Sequence, residues 1–206
     1  MSTPAILIAS NNAHKHQELR EIFGVLAPAL SLVTPREVGL ALDPDETADT
    51  YLGNALLKAR AFAAAAHGKG LWVIADDSGL EVDALGGRPG LLSARYHRQA
   101  PGGDGCAALL AELRGVPMPG RTARFRAVIV LIDPTGAEQA FTGLCEGRIG
   151  HGARGIGGFG FDPVFMVGTG PRTMAELPPP EKNRISHRGL AAAQAVAALS
   201  AGPSST

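Results

Sequence analysis

The stretch Leu71-Trp72-Val73-Ile74-Ala75-Asp76-Asp77-Ser78-Gly79-Leu80 decides the fold. Its apolar, β-rich run from Trp72 to Ala75 is bounded by turn-forming residues, the pattern of a strand covered on both faces. Two adjacent carboxylates, a hydroxyl and a glycine follow. Ligands in open α/β sheets collect beyond the carboxyl ends of strands, so Asp76 and Asp77 are expected at the end of this strand. Acids in contact raise each other's pKa unless a cation answers them. A hard divalent ion such as Mg²⁺, which prefers oxygen ligands, meets that need. Asp-Asp-Ser-Gly is equally good turn chemistry, and the stretch alone leaves both readings open.

The 206 residues suit one domain or one two-lobed domain. A hydrophobic content of 45% against 18% charged residues supports a globular core. The formal net charge is zero, which argues against stable nucleic-acid binding through electrostatics. Cys106 and Cys145 are the only cysteines, too few for a disulfide scaffold or a four-cysteine zinc site, and a reducing compartment is expected. The apolar run 5–9 is too short for a signal segment and no window approaches a membrane span. A cytoplasmic protein with no membrane association is therefore expected.

Outward from the central strand, residues 5–9 form a first buried strand. Ser10-Asn11-Asn12 supplies N-cap chemistry for a helix with Leu19, Ile22, Phe23 and Leu26 at helical spacing. Lys15 lies in its first turn, against the helix dipole. A phosphate facing the free N–H groups and Lys15 would offset this; a solvated surface lysine is the plainer alternative. A short strand at 31–34 and the acidic turn Asp43-Pro44-Asp45-Glu46-Thr47 precede a helix over 51–67 that carries Lys58 and Arg60. Beyond the central strand come a glycine-rich loop at 86–90, a helix at 104–113 and a hairpin of strands 125–132 and 139–147. A short strand at 164–167 and an alanine-rich helix at 188–200 follow, and 202–206 is expected to fray.

Two glycine patterns mislead. Gly155-x-Gly157-x-x-Gly160 has the letters of a dinucleotide fingerprint, but Phe161-Asp162-Pro163 and a β-rich run deny the helix that must follow. Gly115-x-x-x-x-Gly120-Arg121-Thr122 resembles a P-loop, yet Pro117 and Pro119 remove the N–H groups that cradle phosphate.

Five polar clusters interrupt apolar surroundings: Ser10 to Lys15, Asp45-Glu46, Asp76-Asp77-Ser78, Phe159-Gly160-Phe161-Asp162, and Lys182 with Ser186-His187-Arg188. They offer carboxylates for a metal, cations for phosphates, an aromatic for a base and donors for a base edge. That set fits metal-assisted phosphoryl chemistry on a nucleotide.

The segments Ala9-Ser10-Asn11-Asn12-Ala13-His14-Lys15, Asn54-Ala55-Leu56-Leu57-Lys58-Ala59, Ala75-Asp76-Asp77-Ser78-Gly79-Leu80 and Leu85-Gly86-Gly87-Arg88-Pro89-Gly90 occur in that order. Ser93-Ala94-Arg95-Tyr96, Gly157-Gly158-Phe159-Gly160-Phe161-Asp162-Pro163 and Ile185-Ser186-His187-Arg188-Gly189 complete the series. With them the chain resembles the inosine triphosphate pyrophosphatase-like family, in particular its bacterial dITP/XTP pyrophosphatases. The resemblance implies an α/β fold, an elongated two-lobed mixed sheet with flanking helices. It implies one domain over residues 1–206 with the active site in the cleft between lobes. It further implies a homodimer that hydrolyses purine nucleoside triphosphates such as dITP, ITP and XTP to monophosphate and pyrophosphate, with Mg²⁺.

Carried over by position, Asp77 is the general base and a metal ligand, and Asp45 a second metal acid, with Glu46 and Asp76 as further candidates. Ser10, Asn11, Asn12, Ala13, His14 and Lys15 line the phosphates, and Ser78 touches substrate. Phe159, Gly160, Phe161, Asp162, Lys182, His187 and Arg188 hold base, ribose and phosphates. Gly53 stands where the family often has glutamate, Phe161 where tyrosine is frequent, Asn11 where glycine is common and Ile156 where threonine is usual. A related pyrophosphatase acting on modified pyrimidine nucleotides and a non-catalytic nucleotide- or RNA-binding module remain as alternatives.

Overall fold

The computed structural model describes residues 5–201; the tail expected to fray, 202–206, lies outside them. Strand β1 (Ala5–Ile8), helix α1 (Ala13–Leu26), strand β2 (Ser31–Val33) and helix α2 (Tyr51–Ala65) lead to the central strand β3 (Trp72–Val82). Strand β4 (Pro89–Gly90) and helices α3 (Ser93–Gln99) and α4 (Gly105–Glu112) come next. Strands β5 (Thr122–Ile132), β6 (Glu138–Ile149) and β7 (Phe165–Val167) precede helices α5 (Pro179–Ile185) and α6 (His187–Ala201). The strand order is β2-β1-β3-β5-β6-β7, with β4 paired to β3. The sheet is mixed: β1 runs parallel to β2 and β3, whereas β3–β4 and β6–β7 are antiparallel.

The chain divides into two compact units. The first takes the described residues up to Asp77, Ala127–Gly143 and those from Arg188 onward. Alternation along its strands builds two cores. Ile6, Ile8, Ile74, Ile129 and Leu131 pack with Leu19, Ile22 and Phe23 of α1 and Ala191, Ala192 and Ala195 of α6. Leu7, Ala9, Val73, Ala75, Val128 and Val130 pack with Ala55, Ala59 and Phe62 of α2. Successive strand residues point to opposite faces, so one apolar run serves both layers. Each fully buried Leu, Ile or Phe contributes roughly 1.5–3 kcal/mol.

The second unit takes Ser78–Arg126 and Leu144–His187. Its core holds Leu80, Val82, Leu109, Leu113, Phe125, Ile149, Phe161 and Phe165. The intervening strand positions are charged: Arg124 pairs with Asp83 at 2.8 Å and Arg126 with Glu81 at 3.0 Å. Arg121, 4% exposed, donates only to main-chain carbonyls, those of Val116 (2.9 Å), Gly150 (2.7 Å) and Leu113 (2.7 Å).

The structure changes several expectations. Strand β3 does not stop at the acids but runs on to Val82. The reason lies downstream: Leu80 and Val82 are fully buried, and Leu80 and Glu81 pair with Gly90 and Pro89 of β4. Asp76 and Asp77 are therefore in mid-strand, neither at a strand end nor in a turn. Strands β5 and β6 are longer than expected, and α3 and α5 form where the short polar sequences carry no helical apolar stripe. Among the described residues no helix is long and apolar enough to cross a membrane.

Burial pushes both thiols, Cys106 and Cys145, up to about 11. At pH 8 their thiolate fractions, and with them their alkylation rates by iodoacetamide, are expected to lie on the order of a hundredfold below those of a free cysteine. Mass-spectrometric time courses at pH 8 check this; a rate matching free cysteine at either thiol would contradict it.

Candidate active site

The site of the first unit is built on the alternation of β3. Ile74 belongs to the face packed on α1 and α6, and Val73 and Ala75 to the face packed on α2. Continued two residues further, the same alternation sends Asp76 and Asp77 to opposite faces. The contacts agree. Asp76 meets Lys15 of α1 and Arg188 of α6, and Asp77 meets Asn54 and Lys58 of α2. The like-charge argument for a metal between adjacent acids therefore fails, because each acid has its own cations.

Asp76 is 1% exposed. Its Oδ2 accepts from Lys15 Nζ at 2.8 Å and from Arg188 Nη2 and Nε at 3.0 and 3.2 Å. Lys15 Nζ also donates to the Asp76 carbonyl at 3.0 Å, and Arg188 Nη1 pairs with Glu18. Two acids and two bases thus close a buried, charge-balanced network. Burial alone would raise the Asp76 carboxyl, but Arg188 and Lys15 hold it well below the usual range. Burial likewise opposes the Arg188 charge, and Asp76 and Glu18 reverse that effect. Burial pulls the Lys15 ammonium down, and Asp76 offsets part of the shift.

Asp77 is 6% exposed. Lys58 Nζ donates to its Oδ1 at 3.1 Å and to Glu46, and Asn54 Nδ2 approaches its Oδ2 at 3.4 Å. Burial pushes the Asp77 carboxyl up, against the pull of Lys58 and Lys15. Although burial opposes it, Asp77 and Glu46 hold the Lys58 ammonium above its usual value. Asp77 is thus an acid poised as a base, beside a cation that stays charged.

The acidic loop separates its two neighbouring acids in the same way. Its residues alternate in exposure: Asp45 is exposed, while Glu46 is half-buried and paired to Lys58. Among the described residues no three His, Cys, Asp or Glu side chains cluster as a metal cage. Mg²⁺ is commonly held by one or two carboxylates together with substrate phosphates. Glu46 and Asp77, converging on one ammonium, fit that mode.

At the start of α1, Asn12 is the N-cap, and its Oδ1 accepts from the N–H groups of His14 (2.9 Å) and Lys15 (3.3 Å). These donors are therefore capped rather than free, which corrects the expectation drawn from the sequence. Ser10 Oγ accepts from Asn12 N at 3.2 Å, and Asn11 Nδ2 donates to the Leu42 carbonyl at 2.7 Å and to Asp43 at 3.1 Å. Ala13 and His14 are exposed.

In the second unit, Asp162 Oδ2 accepts from Lys182 Nζ at 2.7 Å and Phe159 N at 2.8 Å, and Lys182 lies 5.6 Å from the Phe159 ring centroid. Phe159 is half-buried, whereas Phe161 is 3% exposed and packs on Tyr96, so Phe159 is the aromatic that remains accessible. His187 stacks on Phe125 at 4.7 Å. Gly160, exposed, offers its carbonyl to Cys106 Sγ at 3.3 Å. Ser78 is half-buried.

A Cβ on Gly158, whose φ is +69°, would lie 2.0 Å from Asp162 Oδ2 and 2.7 Å from Lys182 Nζ. Gly158→Ala is therefore expected to force the pair apart and to lower kcat/KM by roughly tenfold or more, as small displacements of positioning groups do. Steady-state kinetics check it; an unchanged kcat/KM would show that the pair tolerates displacement.

Asn54, Lys58 and Glu18 join these contacts without a site role assigned from the linear sequence. The available signal was polar residues on buried helix faces: Asn54 and Lys58 are four apart beside Ala55 and Ala59, and Glu18 adjoins buried Leu19.

In the first unit, a strand covered on both faces carries a cation-flanked acid beside a capped helix start, within an α/β protein. The chain belongs to the Ham1 family, whose sequence profile matches residues 6–198. It is 43% identical to a dITP/XTP pyrophosphatase of Symbiobacterium thermophilum, covering 98% of each chain. It is 49% identical to one of Methylococcus capsulatus, over 91% of this chain and 92% of the relative. The structure of the Staphylococcus aureus Ham1 protein superposes with a TM-score of 0.81 at 37% identity, covering 97% of this chain and all of that one.

Proposed function

We propose that this chain hydrolyses non-standard purine nucleoside triphosphates (dITP, ITP and XTP) to the monophosphate and pyrophosphate, keeping deaminated purines out of nucleic acid. The observation that carries the proposal is Asp77, a carboxyl raised by burial and held between Lys58 and Asn54, in a chain whose relatives are named for this activity. Asp77 takes a proton from water as the water oxygen bonds to phosphorus. The α,β-anhydride bond breaks, and pyrophosphate leaves with the electron pair. Lys58 and Lys15 stabilise the charge that builds on the phosphates. Ser10 to Lys15 line the phosphates and Ser78 touches substrate. Mg²⁺, held by Glu46 and Asp77, would neutralise the triphosphate and orient it.

Phe159 stacks on the purine, supported by Lys182, Asp162 and the open backbone at Gly160. His187 donates to the 6-keto oxygen. Adenine has an amino group there, so donor would face donor, at a cost of about 1–3 kcal/mol. Arg188, paired with Asp76 and Glu18, holds substrate beside His187. A homodimer and a cytoplasmic location complete the proposal.

The test is to incubate the protein with dITP, XTP, GTP, ATP and a modified pyrimidine triphosphate plus Mg²⁺, and to quantify pyrophosphate. Release from dITP or XTP well above the others is the expected result. No release from either would overturn the proposal, and release from the pyrimidine alone would transfer the activity to that substrate class.

A further inference from the structure

We propose that Asn54 is a positioning residue that clamps the acidic loop to the Asp77 carboxylate, and that Gly53 leaves the room in which this clamp closes. The inference rests on the role given to Asp77 above. Asn54 is 3% exposed. Its Oδ1 accepts from Ala48 N at 2.9 Å and its Nδ2 approaches Asp77 Oδ2 at 3.4 Å. The amide orientation is chemically determined, because a main-chain N–H can only donate and an ionised carboxylate can only accept. One turn further on, Lys58 repeats the bridge, reaching Asp77 Oδ1 and Glu46 of the same loop. Two rungs, four residues apart on α2, thus hold both Asp77 oxygens and two points of the loop. The amide supplies both the acceptor and the donor that the first rung needs. Aspartate there would set a second negative charge against Asp77, and an aliphatic side chain would leave both groups unmet.

Gly53 makes this geometry possible. Its φ lies outside the left-handed region, so conformation does not require glycine. A Cβ there would stand 2.6 Å from Ala48 Cβ and 3.0 Å from Thr50 Oγ1, the N-cap oxygen that accepts from Gly53 N. Glycine is unfavourable inside a helix; here it lets the loop lie directly on the first turn of α2. A side chain at position 53 pushes Ala48 away, and with it the N–H that anchors Asn54.

The test is a rescue cycle read by kinetics on dITP, by melting temperature and by NMR hydrogen exchange at the Ala48 amide. Gly53→Ala is expected to lower kcat roughly tenfold with KM within about threefold, as a shifted catalytic group does. It should also remove the exchange protection of Ala48. Adding Ala48→Gly, which takes away the opposing methyl, should return kcat to within about threefold of wild type. Asn54→Ala should lose both kcat and the protection. Wild-type kcat in Gly53→Ala, or a double variant as impaired as the single one, would overturn the inference, and so would an unprotected Ala48 amide in the wild type. If Asn54→Ala does not fold, the cycle at 48 and 53 decides alone. Hydrogen exchange does not depend on activity. An inert wild type with a protected Ala48 therefore refutes the functional reading, whereas an active wild type with unaffected variants refutes the clamp.

Discussion

Asp77→Asn is expected to lower kcat on dITP by about 10²–10⁴-fold, the contribution of a positioned general base, while the fold stays intact. The amide keeps the shape of the carboxyl but cannot accept a proton from water. KM should change only severalfold, because Lys15 and Lys58, the cations proposed to face the phosphates, remain in place. Stability should fall by only about 1–3 kcal/mol, the cost of turning one amide N–H₂ toward the Asn54 or Lys58 donor, and the electrostatics keep the loss from being larger. Burial pushes the Asp77 carboxyl up, which means that the folded chain disfavours its ionised form. Replacing it with a neutral isostere removes a charge that the fold does not favour, and Lys58 keeps Glu46 as a partner. Steady-state kinetics alongside a melting curve check both halves. A kcat within tenfold of wild type would remove Asp77 from its proposed role.

Asp76→Ala, one residue earlier, is expected to have the opposite profile. Here Arg188 and Lys15 reverse the effect of burial and hold the carboxyl low, so the fold favours the ionised form. Its removal takes a carboxylate from both Arg188, 2% exposed, and Lys15. Breaking a buried ion pair on one side costs about 3–5 kcal/mol. In a chain of this length that corresponds to a fall in Tm on the order of 10 °C. Urea unfolding of the variant beside Asp77→Asn gives the comparison. An Asp76→Ala variant as stable as the wild type would show that the network around Asp76 contributes nothing.

Much of the first unit was legible because its apolar alternation is strong. The strand around Val73, the helix bearing Leu19, Ile22 and Phe23, and the helix beginning after Thr50 all follow from periodicity and capping. The continuation of β3 was not legible, since Asp76-Asp77-Ser78-Gly79 has the composition of a turn and only the burial of Leu80 and Val82 keeps it extended. The motif residues were legible as polar clusters, but their partners were hidden. Nothing in the linear sequence says that Arg188 meets Asp76, 112 positions away, or that Glu46 rather than Asp45 pairs with Lys58. Local pattern reports which side chains are polar, and tertiary packing decides which of them meet.

The opposed placement of Asp76 and Asp77 has a consequence for how the chain tolerates change. In a strand, a slip of one residue exchanges the two faces. Inserting a single residue between Trp72 and Val73 would deliver Asp76 to α2 and Asp77, the proposed base, to α1 and α6. The same slip would turn Val73, Ile74 and Ala75 to the wrong layers. Core and chemistry are thus written in one reading frame of the strand and fail together. Misregistered copies of this chain should accordingly be eliminated as unfolded protein rather than persist as folded, inactive ones.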